Sequence, residues 1–338
     1  MKAAPAGSQR PGARCRLAFG KIGQDEPKTR VDPISIKPKA LKRGDTVAVV
    51  APASAIEREH LERGVNVLTE AGYRVKVSER ALSRWGIFAG EDRARADELQ
   101  AAFADPEVKA IFCARGGYGC GRILPMLDFS RIAKTPKVFV GFSDETFLLC
   151  ALNELVGLVS FHGPMVAMDL SRGMSERALV HMQRVLGGDS GTVEFEARET
   201  MHPGVAEGRL IGGCLTVVAS MVGTPYAPSF AGRILFLEDT GERAYRIDRM
   251  LVQLRQSGAL KGVAGIVFGN IRLTDHNEQE ARLVARFCAE ETADLDCPVI
   301  FGIEAGHGTE NLMLPFGVNA RIEAASRRLV VTEIAVER

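Results

Sequence analysis

The sequence has no basic surplus, no cysteine pair at metal-binding or redox spacing, and no apolar run of membrane length. Lys and Arg total 43 against 42 Asp and Glu, a net charge of +1. A nucleic-acid binder concentrates a clear basic excess on one element, so no nucleic-acid partner is expected. The seven cysteines, Cys15, Cys113, Cys120, Cys150, Cys214, Cys288 and Cys297, are odd in number and none stands in a C-x-x-C pair. That argues against a disulfide framework or a zinc site and for reduced, buried thiols in a cytoplasmic protein. No stretch approaches the ~20 apolar residues of a membrane span. The first 36 residues hold seven Lys or Arg, three acidic residues and no apolar segment, unlike a secretory signal. Residues 1–37 read as a disordered arm. Aromatics are sparse as well, with one tryptophan, Trp85, and four tyrosines.

What is present is a chain of 338 residues with 46% hydrophobic content, enough for two domains with separate cores. Asp45–Val50, Tyr73–Val77, Val108–Cys113 and Lys137–Gly141 read as strands. Amphipathic stretches at 57–71 and 91–103, and a third at about 144–155, read as helices between and after them. Apolar strands alternating with helices predict a parallel sheet covered on both faces, with its ligand site at the strand carboxyl ends. Residues 166–207 are polar and irregular and read as a connection. From 208 to 338, strands are expected at 234–237, 265–268, 298–301, 320–324 and 328–334, with helices at about 243–256 and 277–292. There is no internal repeat and no low-complexity tract.

Four segments can carry chemistry. Gly141-Phe142-Ser143-Asp144 puts a serine at a strand-to-helix turn, where the next amide and the helix N-terminus can stabilise an oxyanion. Glu145 stands where the familiar nucleophile elbow has glycine, and Ser143 can equally serve as a helix cap. Arg115-Gly116-Gly117-Tyr118-Gly119-Cys120-Gly121 follows the third strand. It fits half of an oxyanion hole, a phosphate cradle or a plain flexible turn, and it matches neither a Walker loop nor a dinucleotide fingerprint. Glu238, Asp239 and Glu242 close an apolar strand, where acidic residues also suit a solvated helix start. His307, between Gly306 and Gly308, has little local packing to explain it, and His162 is its one rival. Together these supply a nucleophile, a base, a carboxylate to orient it and donors for an oxyanion, the minimum for acyl transfer by a serine enzyme.

The set Arg115-Gly116-Gly117-Tyr118-Gly119, Gly141-Phe142-Ser143-Asp144, Leu237-Glu238-Asp239 and Gly306-His307-Gly308 resembles the LD-carboxypeptidase family, which includes muramoyltetrapeptide carboxypeptidases and microcin-immunity peptidases. Gly44–Ser54 and Tyr245–Leu251 extend the similarity, which covers roughly residues 38–335. The resemblance implies a Ser143, His307 and Glu238 triad, and an oxyanion hole from the amides of Asp144 and of Gly116 or Gly117. It implies an α/β fold: an N-terminal parallel-sheet domain (38–165) and a smaller β-rich α+β C-terminal domain (208–338), with the site between them. It also implies a homodimer, no cofactor and no metal. The expected activity is hydrolysis of the amide before a C-terminal D-amino acid in a muropeptide, during cytoplasmic cell-wall recycling. Cys214 departs from the family, which has asparagine after the preceding glycine pair.

A carboxypeptidase must grip a free carboxylate, and Arg115, Arg122 and Arg246 are candidates on chemistry alone. Two other readings stand beside this one. A microcin-immunity-type peptidase would cleave a peptidyl or aminoacyl nucleotide and needs an aromatic platform near the site, for which the sequence offers little. A non-catalytic phosphate- or nucleotide-binding module would use only the glycine loop.

Overall fold

Runs such as Val47–Val50 and Val138–Val140 are buried throughout, which only a sheet covered on both faces allows. A computed structural model describes residues 35–189, 191–274 and 278–338. The expected arm lies outside these residues apart from 35–37, where Ile36 donates to Gly157 O and Val159 donates back to Ile36 O.

The first sheet has six strands in the order Leu314–Phe316, Ser160–His162, Val138–Gly141, Val108–Cys113, Thr46–Val50 and Arg74–Val77. All neighbours are parallel except Leu314–Phe316, which pairs antiparallel with Ser160–His162. The strand order reverses on either side of Thr46–Val50, and such a reversal opens a crevice at the carboxyl ends. Helices Arg58–Glu70 and Asp92–Ala104 fall where the apolar spacing put them.

The second sheet has eight strands, Val193–Glu196, Arg328–Val331, Asn319–Glu323, Val205–Cys214, Ile234–Glu242, Gly265–Leu273, Val299–Gly306 and Glu199–His202. Its four strands from Val205–Cys214 to Val299–Gly306 are parallel and its flanks antiparallel. The polar stretch 166–207 therefore carries helix Glu176–Gly187 and two strands. In Val193–Glu196 only Phe195 is buried, too little apolar signal for a strand to be read from sequence. The six described cysteines are free and buried, and no described helix is long and apolar enough to cross a membrane.

Three contacts lock the sheets together near the site. Leu314–Phe316 leaves the C-terminal part of the chain to edge the first sheet. Thr146 Oγ1 accepts the Cys214 amide at 3.0 Å. Arg233, just before the acidic strand, pairs at 2.8 Å with Glu154 on the helical segment that follows the serine turn, and both side chains are almost fully buried. A buried charge that loses its counter-charge costs about 3–5 kcal/mol. Glu154→Ala should therefore lower the urea-unfolding free energy, by at most about that amount; a loss below about 1 kcal/mol would mean the pair does not join the two parts.

Candidate active site

Strand Val138–Gly141 ends in a single tight turn, Ser143–Glu145, that opens helix Thr146–Ala151. Ser143 has φ +65°, and Arg327 is the only other described non-glycine residue with positive φ. Holding a serine in the left-handed region costs about 1–3 kcal/mol, so the surroundings impose this turn. Ser143 does not act as a cap: neither the turn nor the helix has a side-chain cap hydrogen bond. Glu145, at the place of the elbow glycine, is fully buried, and burial, with Asp144 adding to it, pushes its carboxyl well above the usual range.

The glycine loop lies directly against this turn. A Cβ at Gly116 would sit 2.9 Å from Ser143 Cβ and 3.1 Å from its Oγ, so only glycine allows the approach. Among the described residues the amides of Gly116 and Gly117 have no hydrogen-bond acceptor. The loop is pinned at two other points. Ser54 Oγ accepts the Tyr118 amide at 3.1 Å, and Asp144 Oδ2 accepts the Cys120 amide at 2.7 Å. The protein's own carboxylate thus fills the helix start that a phosphate cradle would need.

Glu238 lies on strand Ile234–Glu242 and is fully buried. Its Oε2 accepts His307 Nδ1 at 2.6 Å and the His307 backbone amide at 3.0 Å. Burial works to raise the Glu238 pKa, but the His307 charge and hydrogen bonds outweigh it and hold the carboxyl below its usual value. For His307, burial works to lower the pKa; Glu238 above all, then Asp239 and Asp169, outweigh it and leave the imidazole above its ordinary value. With Nδ1 committed to Glu238, Nε2 is the nitrogen left for a reacting group. The His307 ring packs 4.7 Å from the ring of Phe142, the residue before Ser143, so the two sheets bring the turn and the histidine together.

The neighbours of these residues have other occupations. Asp239 Oδ2 accepts the amide and the hydroxyl of Thr216, both at 2.8 Å, at the start of helix Leu215–Met221. Burial, reinforced by Glu238, pushes its pKa to about 6. Glu242 pairs with Arg246 at 3.3 Å. His162 is fully buried, its nitrogens have no partner among the described residues, and burial pushes its pKa down to about 4. It is a neutral ring set edge-on to Phe142 and Phe236.

The three candidate arginines are also engaged. Arg115 Nη1 donates to Ala55 O at 3.1 Å, Arg122 grips Asp92 with two nitrogens, and Arg246 is held by Glu242 and Tyr245. Cys214, at the departure from the family, is buried in register with Glu238.

Residues 47–163 match the LD-carboxypeptidase N-terminal domain and residues 207–322 the LD-carboxypeptidase C-terminal domain. The chain belongs to the LD-carboxypeptidase family. It is 37% identical over 302 residues to the "Probable murein peptide carboxypeptidase" of Bacillus subtilis, covering 88% of this chain and 95% of that one. To the "Murein tetrapeptide carboxypeptidase" of Pseudomonas aeruginosa it is 36% identical over 290 residues, covering 82% and 92%. Among solved structures, the muramoyltetrapeptide carboxypeptidase from Oxalobacter formigenes superposes with a TM-score of 0.77 at 32% identity, covering 86% of this chain and all of that one.

Sequence reasoning missed the supports of this family site, namely Ser54, Thr146, Asn311 and the aromatic group at the glycine loop. Asn311 Oδ1 accepts the Gly306 amide at 2.9 Å. Trp85 stacks on Phe88 at 5.6 Å, and Phe88 meets Tyr118 at 5.7 Å. Only the Ala51–Ser54 loop after the first strand carried a sequence signal. Gly306 has φ +93°, and a Cβ there would lie 2.4 Å from Glu238 Oε2. Gly306→Ala should therefore separate Glu238 from His307 and lower the imidazole pKa, read by NMR titration; an unshifted titration would contradict this geometry.

Proposed function

We propose that the protein is a serine carboxypeptidase that hydrolyses the amide before a C-terminal D-amino acid, converting a murein tetrapeptide to a tripeptide and D-Ala. The observation that carries this reading is the strained Ser143 turn, whose neighbour Phe142 packs on the ring of the Glu238-bound His307, in a chain of the LD-carboxypeptidase family.

In the mechanism, Ser143 Oγ attacks the scissile carbonyl while His307 Nε2 takes its proton. Glu238 holds the tautomer with hydrogen on Nδ1 and stabilises the imidazolium. The amides of Gly116, Gly117 and Asp144 receive the oxyanion, and each such donor is worth ~10²–10³ in rate. His307 then gives the proton to the departing amine, and D-Ala leaves an acyl-enzyme. Water, deprotonated by the same imidazole, releases the tripeptide. A homodimer and a cytoplasmic location, which the resemblance implies, belong to this reading.

A second reading has one observation in its favour. The Trp85, Phe88 and Tyr118 cluster beside the glycine loop could stack a base, as cleavage of a peptidyl or aminoacyl nucleotide would need. Both readings use Ser143, and the substrate separates them. Incubation with murein tetrapeptide should release D-Ala, detected by mass spectrometry, and Ser143→Ala should release none. No release by the native protein would remove the murein reading, and release by the variant would remove Ser143.

The pH profile tests the histidine. Catalysis needs neutral His307, so kcat/KM should rise with pH through a midpoint above the ordinary histidine value of about 6.5. Glu238→Gln removes the largest of the charges that raise this pKa, while burial still favours the neutral ring. The midpoint should therefore fall in the variant; an unmoved midpoint would mean that Glu238 does not govern the base.

A further inference from the structure

The position of His307 fixes where the leaving residue must go. This step rests on the serine-carboxypeptidase reading: the imidazole protonates the departing amine, so the leaving amino acid lies on the His307 side of the scissile bond. Its carboxylate is two bonds from that amine. A cation meant for it must face the space next to His307.

A cavity of about 520 Å³ opens there, with His307, Gly308, Asn270, Arg198 and Arg272 in its wall. It continues into a second cavity of about 650 Å³ that shares Arg198, Asn270 and Thr309. Arg198 and Arg272 are the two arginines of the first cavity, and both are exposed. Among the described residues neither guanidinium has a hydrogen-bond acceptor or an ion-pair partner. The other arginines of the second cavity differ: Arg177 is paired with Glu304 at 2.6 Å, and Arg327 lies 3.7 Å from Glu196. The acid in the first cavity, Glu278, lies 3.6 Å from Arg282.

Arg198 is also positioned. Its guanidinium lies 5.9 Å from the centre of the Phe301 ring, and its backbone carbonyl accepts Arg327 Nη1 at 3.1 Å. A guanidinium steadied by an aromatic ring but lacking a carboxylate can accept one from outside in a two-pronged contact. Arg115, Arg122 and Arg246 have their own partners, as described above.

We propose that Arg198, assisted by Arg272, binds the C-terminal carboxylate of the leaving residue and thereby makes the enzyme a carboxypeptidase. The cavity they line is the subsite for the released D-amino acid. The contact exists before and during the reaction, so its loss acts mainly through KM.

The test compares a tetrapeptide ending in free D-Ala with the same peptide ending in D-alaninamide, for the native protein, Arg198→Gln, Arg198→Lys and Arg272→Gln. The native protein should prefer the free acid. In Arg198→Gln the ratio of kcat/KM for acid over amide should fall by about 10–100-fold, the worth of one charge-assisted contact. Arg272→Gln should lower the ratio less, and Arg198→Lys should restore part of it. A merely structural role for Arg198 would weaken both substrates alike and leave the ratio at the native value, which overturns the proposal. A native enzyme that hydrolyses both peptides equally well overturns it while sparing the peptidase reading. A native protein that hydrolyses neither removes both.

Discussion

Burying a carboxylate is expensive unless it is paired and hydrogen-bonded, and the site is arranged around one such group, Glu238. Its side chain is fully buried, and one oxygen takes both the ring and the backbone N–H of residue 307. That double contact fixes the position and the tautomer of the imidazole in one step. It requires residue 306 to come so close that no side chain fits, and it draws Asn311 in to hold the Gly306 amide. A carboxylate held this way keeps its pKa below the usual value despite burial and holds that of the imidazole above its ordinary value.

The other half of the site is a matter of backbone rather than charge. Ser143 sits in a conformation that serine avoids, and it stays there because its surroundings are over-determined. The strand before it is buried, the Gly116 backbone closes one side, and the Asp144 carboxylate ties the glycine loop to the same turn. The two halves come from different sheets. Their relative position rests on the Arg233–Glu154 pair, the Thr146–Cys214 hydrogen bond and the strand Leu314–Phe316 that crosses from one part of the chain to edge the other sheet. Packed interfaces of this kind transmit small shifts rather than absorb them, so contacts far from Ser143 bear on the geometry of its turn.

The fold was legible where local pattern and burial coincide. Helix Asp92–Ala104 and strand Val108–Cys113 follow from their apolar spacing. Strands Val193–Glu196 and Glu199–His202 do not, because they lie at sheet edges with one buried residue between them. Ser143, Glu238 and His307 stand out as candidates in the sequence because each has an unusual local setting at a strand end or between glycines. The arginines do not. Whether a guanidinium is free depends on partners distant in sequence: Arg122 meets Asp92 from 30 positions away, and Arg198 shares a cavity wall with His307 although the two are far apart in the chain. The aromatic group has the same origin, since Phe88 joins Trp85 to Tyr118 from a different loop.

On the proposed reading, Ser143 is a nucleophile activated through His307 and Glu238. The most direct measurement is labelling with a fluorophosphonate, which phosphonylates an activated serine, followed by peptide mapping. A single adduct on Ser143 should form in the native protein and be lost in His307→Ala. Labelling of another residue, or labelling of Ser143 that is as fast without the imidazole, would contradict it.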